Sequence, residues 1–178
     1  SKKETIKKDA EEALKRSKKK LDELKERLRK VMRETEERLR RLEKELRDLA
    51  REIREKIKKR RVDEDKVKKI EERLKRLEDK LREVEKRLRE KYRELEKEVD
   101  KVVEKLERDY RRLKDKLEKE PADDRLRKEV EDLNRETDKV IEKLREDIDR
   151  LDKESEEVIR RLKDEIRRLF EEIDRRLR

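Results

Sequence analysis

Leu21–Ile57 reads LDELKERLRKVMRETEERLRRLEKELRDLAREIREKI, and the placement of its uncharged residues decides the fold. Leu21, Leu24, Leu28, Val31, Thr35, Leu39, Leu42, Leu46, Leu49, Ile53 and Ile57 follow one another in steps of 3, 4, 3, 4 and 4, and the series then repeats. Five core positions per 18-residue repeat correspond to about 3.6 residues per turn, between the periods that supercoil left-handed and right-handed. The spacing predicts a nearly straight helix with one apolar face. Across all 178 residues, 67% are charged and 28% hydrophobic, a balance that taken alone describes a disordered chain. Periodic placement of the sparse apolar residues rejects disorder.

Two further segments carry the same repeat. One runs Leu74, Leu77, Leu81, Val84, Leu88, Tyr92, Leu95, Val99, Val102, Leu106, Tyr110, Leu113 and Leu117. The other runs Leu126, Val130, Leu133, Thr137, Val140, Leu144, Ile148, Leu151, Ser155, Val158, Leu162, Ile166, Leu169 and Ile173. Extra apolar neighbours such as Leu14, Met32, Ala50, Ile141 and Ile159 widen the stripe enough to face two partner helices. Between the first and second segments the core phase slips by one residue, which in an unbroken helix would swing the stripe by about 100°. At the slip, Lys58, Lys59, Arg60 and Arg61 suit a helix C-terminus, and Asp63, Glu64 and Asp65 suit an N-terminus. At the second junction Pro121 lacks an amide hydrogen and restricts Glu120, while Asp123 and Asp124 bring negative charge to the next start. Ser1 and Glu4 fit a capping box. The reading is all-α: one domain over 1–178, with helices at about 2–61, 65–119 and 123–177 and turns near 62–64 and 120–122. Such short connections force an antiparallel, up-down-up three-helix bundle, a rod about 85 Å long at 1.5 Å per residue.

Four stripe positions carry hydroxyls: Ser17, Thr35, Thr137 and Ser155. Ser17 with Thr137, and Thr35 with Ser155, sit at the offset expected of level neighbours on the two parallel helices. Ser17 with Tyr110, and Thr35 with Tyr92, are level across the first turn. Two candidate polar layers result, Ser17/Tyr110/Thr137 and Thr35/Tyr92/Ser155, beside an equivalent apolar layer of Ile53, Leu74 and Ile173. Three readings stand for the polar layers. Small residues accommodate a bulky tyrosine while bonding their own helix, or the hydroxyls bond across helices and fix register, or the layers line a ligand pocket.

Much chemistry is excluded by counting. With no His and no Cys there is no imidazole base, no thiolate, no disulfide and no ordinary structural zinc site. No glycine means no phosphate-cradling loop. No apolar run reaches the length of a spanning helix, and no secretory signal is visible, so a soluble chain is expected, its compartment unspecified. Acidic residues avoid the mid-helix stripe, so no catalytic, cofactor or metal site is assigned and no enzyme activity is expected. Net charge is +10, concentrated in the first segment, where 26 bases face 15 acids through Arg61. Bases and acids nevertheless alternate almost everywhere, which leaves weak, salt-sensitive adhesion to polyanions as the partner expectation.

These features together, namely the 18-residue repeat held over three helices, the Glu/Lys/Arg surface, the minimal junctions at Asp63 and Pro121 and the missing Gly, His, Cys and Trp, resemble computationally designed, parametrically generated three-helix bundles. The resemblance implies a monomeric, heat-stable scaffold or rod with no natural biochemical function. Its alternative is a BAR-like protein that presses a basic first helix on an anionic membrane or another polyanion. Curvature needs kinks, and the unbroken repeat has none.

Overall fold

A computed structural model describes residues 2–59, 62–119 and 124–178. It contains three long helices in chain order: α1 (Lys2–Lys58), α2 (Glu64–Lys119) and α3 (Asp124–Arg176). Each is rich in Leu, Glu, Lys and Arg, all strong helix formers, and proline-free. α1 closes in a tight turn, Lys59 N–H donating to the Lys56 carbonyl at 3.2 Å. Val62 and Asp63 are non-helical, and α2 starts at Glu64 with Asp63 as its cap. The Asp63 carbonyl accepts from Lys66 N at 3.0 Å and Val67 N at 3.1 Å, and its Oδ1 accepts from Asp65 N at 3.4 Å. That side chain satisfies one of the amides a helix start leaves without an intrahelical partner. The Pro121 turn, the Ser1 half of the capping box, and Arg60 and Arg61 lie outside the described residues.

The helices assemble into two compact units, Ser1–Lys30 with Tyr92–Arg150, and Val31–Lys91 with Leu151–Arg178. Each contains part of α1, α2 and α3, and each is a three-helix bundle with its own core. In the first, Leu21, Leu24, Leu95, Leu144 and Ile148 are sealed from solvent. In the second, Leu49, Ile70, Leu81, Ile159 and Leu162 are, and the expected apolar layer of Ile53, Leu74 and Ile173 has 0% exposure at all three positions. No large hydrophobic side chain is exposed among the described residues. Burial on α3 centres on Ile141 and Ile159, which the sequence pattern treats as extra neighbours, whereas Val140 and Val158 are only half-buried.

Ion pairs on the rim of each core establish chain direction. In the first unit Asp9 pairs with Lys116 and Arg27 with Glu98, one number rising as the other falls, so α1 and α2 are antiparallel. Lys7 with Glu129 and Lys18 with Glu136 rise together, so α1 and α3 are parallel. The second unit repeats the antiparallel pairing of α1 with α2 through Glu34 with Lys91, Glu45 with Lys80 and Glu52 with Arg73. There Glu85 with Lys163 and Glu71 with Arg178 run α2 and α3 antiparallel as well.

Candidate functional site

The hydroxyl positions are the first candidates. Ser17, Thr35 and Thr137 are buried, at 6%, 8% and 2% exposure, and Ser155 is half-buried. Thr137 Oγ1 donates to the Leu133 carbonyl at 2.9 Å, the preceding turn of its own helix. A β-branched hydroxyl inside a helix can reach that acceptor without any partner from a neighbour. Tyr92 is buried, its hydroxyl oxygen shut away from solvent. Tyr110 is half-buried and packs on the cluster of Ile6, Ala10, Leu113, Leu117, Leu126 and Val130.

Of the first layer, the structure brings Tyr110 and Thr137 together on one crevice of about 40 Å³ in the first unit, with Asn134 and Asp109 as further polar lining. A space of that size holds a water molecule or two and no organic ligand. Ser17 lines a different depression, together with Val102 and a set of bases.

The charged rims are the second candidate, and they are ordered. Partner numbers on α1 and α2 sum to 125 in every one of the pairs Asp9–Lys116, Arg27–Glu98, Glu34–Lys91, Glu45–Lys80 and Glu52–Arg73. Asp9, Arg27 and Glu45 are 18 residues apart, as are Glu34 and Glu52, so the rim obeys the same period as the core. Polarity is not uniform: Arg27–Glu98 places the base on α1, whereas the other four place it on α2. The surplus positive charge of the first segment therefore does not define its contacts with α2.

Distances in these pairs are ordinary: Arg73 Nη1 to Glu52 Oε2 is 2.6 Å, Lys91 Nζ to Glu34 Oε2 3.1 Å, and Lys80 Nζ to Glu45 Oε2 3.5 Å. Arg178 Nη2 reaches both Glu71 oxygens, at 2.6 and 2.7 Å. Arg27 donates from Nη1 to Glu98 Oε2, and this hydrogen bond holds the Glu98 carboxyl below the usual carboxylate range. Partial burial opposes the shift, and the fields of Arg27, Lys20 and Lys101 reinforce it. The same hydrogen bond raises Arg27 above the usual guanidinium value, and the fields of Glu98 and Glu94 add to it. Such exposed pairs are worth about 0–1 kcal/mol each, so they choose among arrangements more than they stabilise one.

Around Ser17 the rim opens into a groove of about 560 Å³ between α1 and α2, bounded by Arg16, Lys19, Lys20, Lys101 and Lys105 with Glu23 and Glu98. The run Lys18–Lys20 is visible in the sequence, but Lys101 and Lys105 stand out only once the register is known. Among the described residues no group of His, Cys, Asp or Glu could hold a metal ion, and no helix is long and apolar enough to cross a membrane.

No family model and no curated protein matches the chain. Among solved structures, the chain is similar to a computationally designed three-helix bundle, at 17% identity over 96% of this chain and 81% of that one, with a TM-score of 0.37.

Proposed function

We propose that the chain is a designed structural scaffold, a stable monomer forming one domain over 1–178, with no catalytic role. The observation that carries this reading is the shared 18-residue period of core and rim: Asp9, Arg27 and Glu45 recur at the spacing of Leu21 and Leu39. A single generating rule for both buried and exposed positions is what consistent specification of a backbone demands. A sequence under selection for an active site departs from such regularity where the chemistry sits. The hydroxyl positions fit the same reading as structural features, Thr137 sharing a crevice with Tyr110 while bonding within its own helix.

Idealised helical bundles are typically hyperstable. Thermal unfolding of the full chain followed by far-ultraviolet circular dichroism is expected to show no transition below about 90 °C, with sedimentation equilibrium returning the 22.4 kDa monomer mass. A midpoint in the range of about 45–65 °C common to mesophilic domains, or a concentration-dependent mass, would overturn the reading.

A further inference from the structure

We propose that the groove bounded by Arg16, Lys19, Lys20, Lys101 and Lys105 in the first unit binds a linear oligophosphate. Three observations lead there. Its volume of about 560 Å³ lies within the range of about 300–1,000 Å³ found for small-molecule sites. Its charge is only partly compensated: of its two acids, Glu23 is engaged by Lys20 at 3.9 Å and Glu98 by Arg27, with Lys20 and Lys101 acting on Glu98 through their fields alone, and Arg16, Lys19, Lys101 and Lys105 have no ion pair among the described residues. The register that sets opposite charges against each other at Asp9, Arg27, Glu34, Glu45 and Glu52 sets Lys20 against Lys105, whose numbers also sum to 125. The same sum sets Arg38 against Arg87 and Lys56 against Lys69, so like charges recur along the seam at the 18-residue period. At Lys20 and Lys105 they border the groove together with Arg16, Lys19 and Lys101, and a multivalent anion between them converts repulsion into attraction. The groove floor is firm, since Ser17 and Val102 are both buried, and Ser17 brings a hydroxyl to the lining.

The chemistry of the lining selects the anion. A monovalent ion gains little from exposed lysines, whereas a compact chain of phosphates engages several at once. A nucleobase finds no surface to stack on, because Tyr92 is buried and Tyr110 and Phe170 are half-buried. A bilayer finds no apolar side chain to take up, since no large hydrophobic is exposed among the described residues. Recognition therefore stops at the phosphates, which are the shared feature of inorganic triphosphate and a nucleoside triphosphate.

Titration calorimetry of the full chain at low salt tests this. Saturable one-site binding of inorganic triphosphate is expected, with ATP within about threefold and adenosine silent. Affinity should fall at least about tenfold as salt is raised from about 20 to about 200 mM. The triple variant Lys19→Gln, Lys101→Gln, Lys105→Gln should weaken binding by about tenfold or more, and circular dichroism shows whether it remains helical. Lys68→Gln, Lys75→Gln, Lys86→Gln removes the same charge from exposed positions of α2 in the second unit and should bind as the parent does. Equal losses in the two variants would reduce the effect to net charge and overturn the assignment. So would the absence of saturable binding, or ATP binding far tighter than triphosphate, or co-sedimentation with phosphatidylserine vesicles by a chain that ignores triphosphate.

Discussion

Thr137 is 2% exposed, yet its hydroxyl is already satisfied by the Leu133 carbonyl one turn back. Replacing it by the similarly shaped valine removes a polar group together with the need to bond it, and leaves behind a carbonyl still held in the helical ladder. Thr137→Val is therefore expected to hold stability within about 1 kcal/mol of the parent or to raise it. Guanidinium denaturation measures this. A loss of about 2 kcal/mol or more would mean that the hydroxyl serves a neighbouring helix, as a cross-helix layer requires. That these residues occupy the apolar stripe is legible in the sequence, because burial follows the 18-residue period. Which acceptor each hydroxyl uses is not, since a back-bonded threonine and a bridging one occupy the same position in the repeat and differ only by a side-chain rotation. The separation of Ser17 from the crevice shared by Tyr110 and Thr137 was equally hidden, because integer offsets locate a residue only to within about a helical turn of its level.

At the scale of the helix, the junction between α1 and α2 rests on a phase slip and a reversal of charge, and both are written in consecutive residues. Lys56 and Lys58 end α1 and Glu64 and Asp65 begin α2, each favourable to the helix dipole, while Asp63 caps the start with backbone and side-chain oxygens. Asp63→Ala removes the side-chain acceptor and the charge without altering the core. It is expected to cost about 0.5–2 kcal/mol in chemical denaturation, with Asp63→Asn recovering most of that. The charged rims were less legible. With 120 charged side chains, 65 basic and 55 acidic, any register offers some favourable pairs. What singles out the actual register is the common sum of 125, which needs the structure to fix a first pair before the others follow. The preference for Ile141 over Val140 was hidden for a related reason. Adjacent apolar residues differ by about 100° around the helix, and only the position of both neighbours decides which one faces inward.

For the molecule as a whole, the 55 carboxylates are what keep 65 bases from repelling one another. Glu98 shows the direction of the coupling. Its folded carboxyl titrates below the usual range because Arg27 donates to it, so its contribution to stability is complete above the unfolded carboxylate value and disappears as pH falls through the depressed folded value. Below that value the Arg27–Glu98 ion pair is lost, and strong acid removes carboxylate charge from the rims in general. The bases then stand without opposing charge. The apolar cores do not titrate, and layers such as Ile53, Leu74 and Ile173 keep their burial at any pH. Acid should therefore weaken the fold without abolishing it, and the loss should be electrostatic in kind. The expected result is a melting temperature lower at about pH 2 than at about pH 7, largely restored at pH 2 by about 0.5 M sodium chloride, which shortens the screening length to a few ångströms. At pH 7 the same salt should change it little, because screening weakens repulsions and exposed ion pairs alike. Glu98→Gln should differ from the parent only at the higher pH. A fold insensitive to acid would show that the rim charges contribute nothing to stability, and acid unfolding that salt fails to reverse would place the critical carboxylates inside the bundle.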